Sequence, residues 1–272
     1  MPLGHASLLA ALTSSGATDL RTVVVAVNTA SLRVDALVDE ILDHAAGRSP
    51  DDVDIAIAAY VWGEAVLRRL LPALRARGFR GRIILGGPQV SYAGPGLEKL
   101  YPEASAFVRG YGEEALAALA HTPGRPVIAG VHYTGDPDRV EQASVDLETL
   151  PSPWLTGVIP LKDQHFVRWE TQRGCPFRCS FCQHREAGAR LAHRALAPSR
   201  VFQEVDLFCR EQVSEIAVLD PIFNLGARSN EVLGRFAEQR FRGRLSLQCR
   251  AETITESFLD VAGSLNVCLE FG

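Results

Sequence analysis

Short unbroken apolar runs alternate along this chain with longer stretches in which apolar residues recur every three or four positions. These are the marks of buried strands and amphipathic helices. Residues 23–27 read as a first strand, ending at a polar loop, Asn28-Thr29-Ala30-Ser31. Val34, Leu37, Val38, Ile41, Leu42 and Ala45 then outline a helix face. A second strand, residues 54–59, passes through Tyr60-Val61-Trp62-Gly63 into a helix carrying Val66, Leu67, Leu70, Leu71 and Leu74. Gly78 sits where a residue at positive φ would stop that helix. A third strand, residues 82–85, leads into Gly86-Gly87-Pro88. A fourth, residues 106–108, ends at Arg109-Gly110-Tyr111-Gly112-Glu113, and helical spacing resumes from Glu114.

Strict alternation of strand and helix predicts right-handed crossovers and a parallel sheet with helices on both faces. Ligands of such sheets sit beyond the carboxyl ends of the strands. Here those ends are residues 28–31, 60–63, 86–91 and 109–113, where glycines either turn the chain or let backbone approach a ligand. The character changes between His121 and His165: residues 127–133 read as an extra strand and Leu150-Pro151-Ser152-Pro153-Trp154 as a stiff linker. Alternation then returns, with strands at 166–172, 215–219, 245–248 and 267–271. The intervening helices carry Val201, Val205, Phe208 and Cys209, then Val232, Leu233 and Phe236, then residues 257–262. Ser199 and Ser229 are the expected caps of the first two. The expected division is a doubly wound domain at 1–125, a linker with an extra strand at 126–164, and a second α/β domain at 165–272.

With 47% hydrophobic and 22% charged residues in 272, the chain can bury sizeable cores. A net charge of −4 without a basic stripe argues against nucleic-acid binding. No apolar run approaches bilayer length. The start, Met1 to His5, places no Lys or Arg before the apolar run 6–12, so the expectation is a cytoplasmic protein without a secretory signal.

The six cysteines change the picture. None occurs before Cys175, then Cys175, Cys179 and Cys182 fall within eight positions, immediately after a strand. A disulfide framework would spread them; clustering suggests metal or redox chemistry. Three thiols spaced four and three apart can each bind a different iron of one cubane, leaving the fourth iron open. Arg173, Arg178, His184 and Arg185 crowd the same stretch and would favour thiolates. Zinc held by Cys175, Cys179, Cys182 and His184 is the competing reading, weakened because zinc sites normally join ligand pairs from separate stretches. Cys209, Cys249 and Cys268 fall on apolar faces or at strand positions and read as small core residues.

The Cys-x-x-x-Cys-x-x-Cys spacing, with Phe181 before the last cysteine and Arg173-Gly174-Cys175-Pro176 at its start, resembles the signature of the radical S-adenosylmethionine (SAM) enzymes. The Gly86-Gly87-Pro88-Gln89-Val90-Ser91 and Arg109-Gly110-Tyr111-Gly112-Glu113 loops are similar to those of the cobalamin-binding domain fused to that core in one subgroup, the class B methyltransferases. Leu150-Pro151-Ser152-Pro153 resembles the segment that precedes their barrel. The resemblance implies an N-terminal flavodoxin- or Rossmann-like cobalamin domain followed by a partial (β/α) radical SAM barrel of about four βα units. It implies a 4Fe–4S cluster on Cys175, Cys179 and Cys182, S-adenosylmethionine, and cobalamin. An electron from the cluster would cleave S-adenosylmethionine to a 5′-deoxyadenosyl radical, and methyl transfer to a substrate carbon would follow. The resemblance also implies an electron donor such as flavodoxin or ferredoxin, and a small-molecule or peptide substrate.

Cofactor-binding residues implied in the cysteine-bearing half are Phe181, Asp220, Arg250 and Glu270. Asp220 competes with a helix-capping role, and Glu270 with that of a solvated edge carboxylate. In the first half they are Asn28, Thr29, Tyr60, Trp62, Gly86, Gly87, Pro88, Gly110, Gly112 and Glu113. Tyr60 and Trp62 read equally as ordinary packing. Asp43-His44-Ala45-Ala46-Gly47 departs from the cobalt-ligating pattern, so His44 is expected as an exposed helix-end residue. The last strand, 267–271, would leave an apolar edge, which predicts a fragment or self-association through the open barrel edge. Radical cyclisation or rearrangement, and a non-catalytic cobalamin or iron–sulfur binding module, are the alternative functions.

Overall fold

Strands β1 (Asp54–Ala58), β2 (Arg82–Gly86) and β3 (Ala106–Val108) run parallel, and β4 (Val131–Tyr133) closes their sheet antiparallel to β3, in the order β1-β2-β3-β4. The computed structural model describes residues 1–49, 52–162, 164–177, 179–182 and 194–271. Contacts divide the chain into residues 11–145, which hold this sheet, and residues 1–10 with 146–272.

Alternation along β2 and β3 sorts the first unit's core into two layers. Ile83, Leu85 and Phe107 pack with Val34, Leu37 and Val38 of α2 (Val34–Ala45) and with Leu67, Leu70, Leu71 and Leu74 of α3 (Glu64–Ala76). Ile84, Ala106 and Val108 face the other way, onto Ala115 and Leu119 of α6 (Glu113–His121). Helices thus cover both faces, as a doubly wound sheet requires. Pro72 lies inside α3, where a proline costs about 3 kcal/mol. The four buried leucines of α3, each contributing about 1.5–3 kcal/mol, outweigh it. Gly78, at φ +94°, ends α3: its N–H donates to Arg75, that of Phe79 reaches back to Leu74, and the Phe79 ring is buried.

Residues 23–27 depart from expectation. Val23 and Val25 pack against the core, yet the stretch enters no sheet ladder. Strand-like alternation is there; a hydrogen-bonding partner is not. His44 is exposed in the last turn of α2, as its position predicts.

In the second unit β5 (Phe166–Trp169), β8 (Glu215–Val218), β9 (Arg244–Cys249) and β10 (Asn266–Phe271) form a parallel sheet in the order β10-β9-β8-β5. Crossover helices α7 (Pro198–Arg210), α8 (Arg228–Glu238) and α9 (Glu256–Gly263) join them. The two-residue strands β6 (Gln172–Arg173) and β7 (Arg194–Ala195) pair antiparallel, one before and one after the cysteine segment. Neither expected serine caps its helix. Pro198 starts α7 and places Ser199 inside the first turn, while the Ser229 hydroxyl donates to the Gly226 carbonyl. Thr255 does cap α9, accepting from the Phe258 N–H. The apolar run near the start forms α1 (Leu3–Ser14), an element the sequence reading passed over.

Residues 126–164 are not a free linker. Residues up to 145 belong to the first unit through β4, and those from 146 onward pack into the second. Leu150, Ser152 and Trp154 are buried, and Trp154 meets Phe208 edge-on, its ring 5.3 Å away. Ser152, Trp169 and Arg200 all donate to the buried Glu204 carboxylate, and Arg200 also donates to the Leu150 carbonyl at 2.9 Å. Prolines stiffened this stretch for docking rather than for spanning.

Arg109 braces the first unit. Buried with Asp138, it donates to that carboxylate at 2.7 Å and to the carbonyls of Val90, Ala93 and Gly94. Replacing it by methionine leaves a buried charge and three carbonyls without their donor. Arg109→Met should lower unfolding free energy by about 3–5 kcal/mol in urea titration. A loss under about 1 kcal/mol, the range of an exposed ion pair, would contradict this assignment.

Candidate functional site

The cysteine segment leaves β6 through Gly174, whose φ of +83° is natural only for glycine. Cys175, Cys179 and Cys182 are all free thiols and all half-buried, and the Cys182 N–H donates to the Cys179 carbonyl at 3.1 Å. Among the described residues no three His, Cys, Asp or Glu side chains converge on a point that could hold one metal ion. A cubane asks for something else, one sulfur per corner with the corners apart, and three accessible thiols fit that demand. Phe181, next to Cys182, is 88% exposed. Arg178, His184 and Arg185 lie outside the described residues, and with them the fourth ligand of the zinc reading.

Three side chains from the carboxyl ends of β8 and β9 surround this segment's root. Asp220 is fully buried, and its carboxylate accepts from the N–H groups of Thr171 and Gln172 and from the Thr171 hydroxyl. Gln172 in turn donates its side-chain amide to the Ile222 carbonyl. The structure therefore points Asp220 inward, at the backbone just before the cysteines, and α8 begins too far along the chain for Asp220 to cap it. Asn224, also buried, grips Arg250 at both backbone groups: the Arg250 N–H donates to Oδ1 and the Asn224 amide to the Arg250 carbonyl, both at 2.9 Å. Arg250 then extends over the cysteine segment. Its guanidinium carbon lies 4.0 Å from the Phe177 ring centre and its Nη1 is 3.5 Å from Cys179 Sγ. Glu252 accepts from the same guanidinium.

The remaining candidates of this unit are less engaged. Glu270 is exposed on the edge strand β10, opposite Gln248. Arg173 pairs with Glu170 at 2.7 Å, so its charge is largely neutralised locally. Burial pushes the Cys209 and Cys249 thiols up to about 11, which suits small core residues and not ligands.

Residues 11–145 carry their own set of loops at the carboxyl ends of β1, β2 and β3. Tyr60 and Trp62 stack at 4.7 Å and 15°, and Trp62 is 62% exposed beside an equally open Val61. The open Trp62 ring, stacked on the half-buried Tyr60, gives the carboxyl end of β1 an apolar surface. Asn28 and Thr29 are exposed, the Thr29 hydroxyl donating to the Ala26 carbonyl at 2.9 Å. Gly86 ends β2, Gly87 has a φ of +92°, and Pro88 opens α4 (Pro88–Ser91). A Cβ on Gly87 would stand 3.0 Å from the Ala59 carbonyl oxygen, and one on Gly110 2.5 Å from that of Ala143. The close approach that these glycines allow is thus to the protein's own backbone. Gly112 precedes α6, whose first residue, the buried Glu113, complements the helix dipole.

No protein-family model matches the chain. It is 29% identical over 222 residues to the 2-(S-pantetheinyl)-carbapenam-3-carboxylate methyltransferase of Streptantibioticus cattleyicolor, covering 75% of this chain and 32% of that protein. It is 26% identical over 221 residues to the cobalamin-dependent radical SAM methyltransferase TokK of Streptomyces tokunonensis, with the same coverage of each. The fold matches that of the radical SAM methyltransferase TsrM from Kitasatospora setae, solved with tryptophan and a SAM analogue bound. The TM-score is 0.73 at 19% identity, over 100% of this chain and 56% of that one. TsrM has also been solved with cobalamin and a 4Fe–4S cluster bound. The resemblance drawn from the cysteine and glycine loops is borne out: TokK and TsrM are radical SAM methyltransferases, TokK a cobalamin-dependent one, and the carbapenam-carboxylate relative is a methyltransferase. The chain spans about a third of the length of the curated relatives it matches.

Asp220 gives the site a pH signature. Burial dominates its environment and pushes the carboxyl up to about 7, against the opposing pull of its donors at Thr171 and Gln172. An unfolded aspartate ionises near pH ~4, so between about 4 and 7 the folded state holds a proton that the unfolded state has lost. Stability should therefore fall as pH rises through that window and level off above it. Asp220→Asn should remove the slope in urea unfolding measured across the window; an unchanged slope would show that Asp220 does not cause it.

Proposed function

We propose that this chain is the cobalamin- and cluster-binding portion of a radical SAM enzyme that transfers a methyl group to a carbon of a small-molecule substrate. One observation carries the reading. Three half-buried thiols at radical SAM spacing stand in the segment after β6, with side chains from the carboxyl ends of β8 and β9 around its root. The four parallel strands of that unit would be the first part of a (β/α) barrel. The methyltransferase names of the relatives, and the ligands of TsrM, support the cofactor set of 4Fe–4S cluster, S-adenosylmethionine and cobalamin.

Cys175, Cys179 and Cys182 would each hold one iron and leave one corner to the amino and carboxylate groups of S-adenosylmethionine. When bound, such a cluster supplies the electron for carbon–sulfur cleavage, and cobalamin carries the methyl group. Asp220 fixes Thr171 and Gln172, so the segment starts from a set point. Phe181 offers an exposed ring beside the last thiol, where a nucleoside could stack. Tyr60 and Trp62 would bear on the corrin face, with Asn28, Thr29, Gly86, Gly87, Pro88, Gly110, Gly112 and Glu113 shaping the loop ends around it. Glu270 would lie at the rim through its place on β10. A flavodoxin- or ferredoxin-like donor would deliver the electron. Among the described residues no helix is long and apolar enough to cross a membrane.

Anaerobic reconstitution with iron and sulfide should give a brown protein with the absorption of a 4Fe–4S cluster, and changing any one of Cys175, Cys179 or Cys182 to alanine should abolish it. Incubation with S-adenosylmethionine and a reductant should yield 5′-deoxyadenosine, or, with methylcobalamin and an added small-molecule carbon acceptor, a methylated product. A colourless polypeptide holding zinc at these cysteines would end the proposal. Independently, Trp62→Ala should weaken methylcobalamin binding about tenfold, ~1.4 kcal/mol, in a spectroscopic titration; unaltered affinity would remove Trp62 from the corrin site.

A further inference from the structure

We infer that Arg250 sets the reduction potential of the cluster by hydrogen bonding to the Cys179 thiolate, and that Glu252 opposes it. The inference rests on the cluster reading above and goes beyond it by naming what tunes the electron transfer.

The geometry is specific. The Asn224 amide fixes both backbone groups of Arg250, which directs its side chain from the end of β9. The guanidinium plane then rests on Phe177, two residues after Cys175, with its carbon 4.0 Å from the ring centre. Nη1 faces Cys179 Sγ at 3.5 Å, within hydrogen-bonding reach of a sulfur acceptor. Nε donates to Glu252 Oε1 at 2.6 Å, and Nη2 donates to the same oxygen. One cation is thus shared between a carboxylate and a cysteine of the cluster segment.

The consequence follows from charge. Adding an electron to a thiolate-bound cluster makes it more negative, and a fixed cation with an N–H···S bond stabilises that state more than the oxidised one. Arg250 therefore raises the potential. The Glu252 carboxylate, sitting on the same guanidinium, cancels part of that field and lowers it. Opposite signs from adjacent side chains are what a structural role would not produce.

The test is an anaerobic redox titration of the reconstituted full chain, followed by electron paramagnetic resonance of the reduced cluster. Arg250→Met should make one-electron reduction about tenfold less favourable, ~59 mV downward, and Glu252→Gln should move it the opposite way. Arg250→Lys keeps the charge but loses the planar contact with Phe177, and should fall between the methionine variant and the parent. If the methionine variant does not hold its cluster, the lysine and Glu252→Gln variants decide. Cluster-bearing variants that titrate with the parent, or that all shift in one direction, would overturn the inference and leave the proposed function standing. A parent chain without a cluster would overturn both.

Discussion

A single buried carboxylate fixes the root of the cysteine segment. Asp220 meets no water; its oxygens take the backbone N–H groups of Thr171 and Gln172, the residues that lead into Gly174 and Cys175. A carboxylate so enclosed is costly unless its donors are in place, so the turn after β8 and the residues leading to the cysteines are held together. Asn224 repeats the device one loop along, gripping Arg250 at both backbone groups. The two points at the root of the cysteine segment are thereby fixed.

The first unit holds its loop ends with close glycine contacts and one buried ion pair. Gly87 and Gly110 let neighbouring backbone strands approach more closely than any side chain would allow, at Ala59 and Ala143. Arg109 ties the loop after β2 to Asp138 from beneath. What is left open above these braces is apolar: Val61 and the stacked Tyr60 and Trp62.

Much of this was legible in the sequence, for physical reasons that differ by element. Helices α2 and α3 were visible because their apolar faces are continuous, and Gly78 because only positive φ ends α3 that way. The cysteine spacing alone singled out the segment proposed to hold a cluster. Residues 23–27 misled because apolar alternation records burial and says nothing of a ladder partner. Ser199 misled because Pro198, one residue earlier, already starts α7. The second reading of Asp220, capping, failed because its acceptors serve Thr171 and Gln172, which lie about fifty residues upstream. Long-range pairings such as this one, Arg109 with Asp138 and Arg250 with Cys179 leave no local trace in a sequence.

Trp154, Phe208, Trp169, Phe236 and Phe241 form an unbroken column of ring contacts, each pair within 6 Å. The top of that column belongs to the proline-bearing stretch once expected to be a tether. Any dissection should therefore cut ahead of Asp146, with residues 1–10 kept alongside 146–272, and not near position 164. A break at 164 would strip the indole of Trp154 from the Phe208 ring and the Ser152 hydroxyl from Glu204, and would leave a sticky, poorly folded remnant.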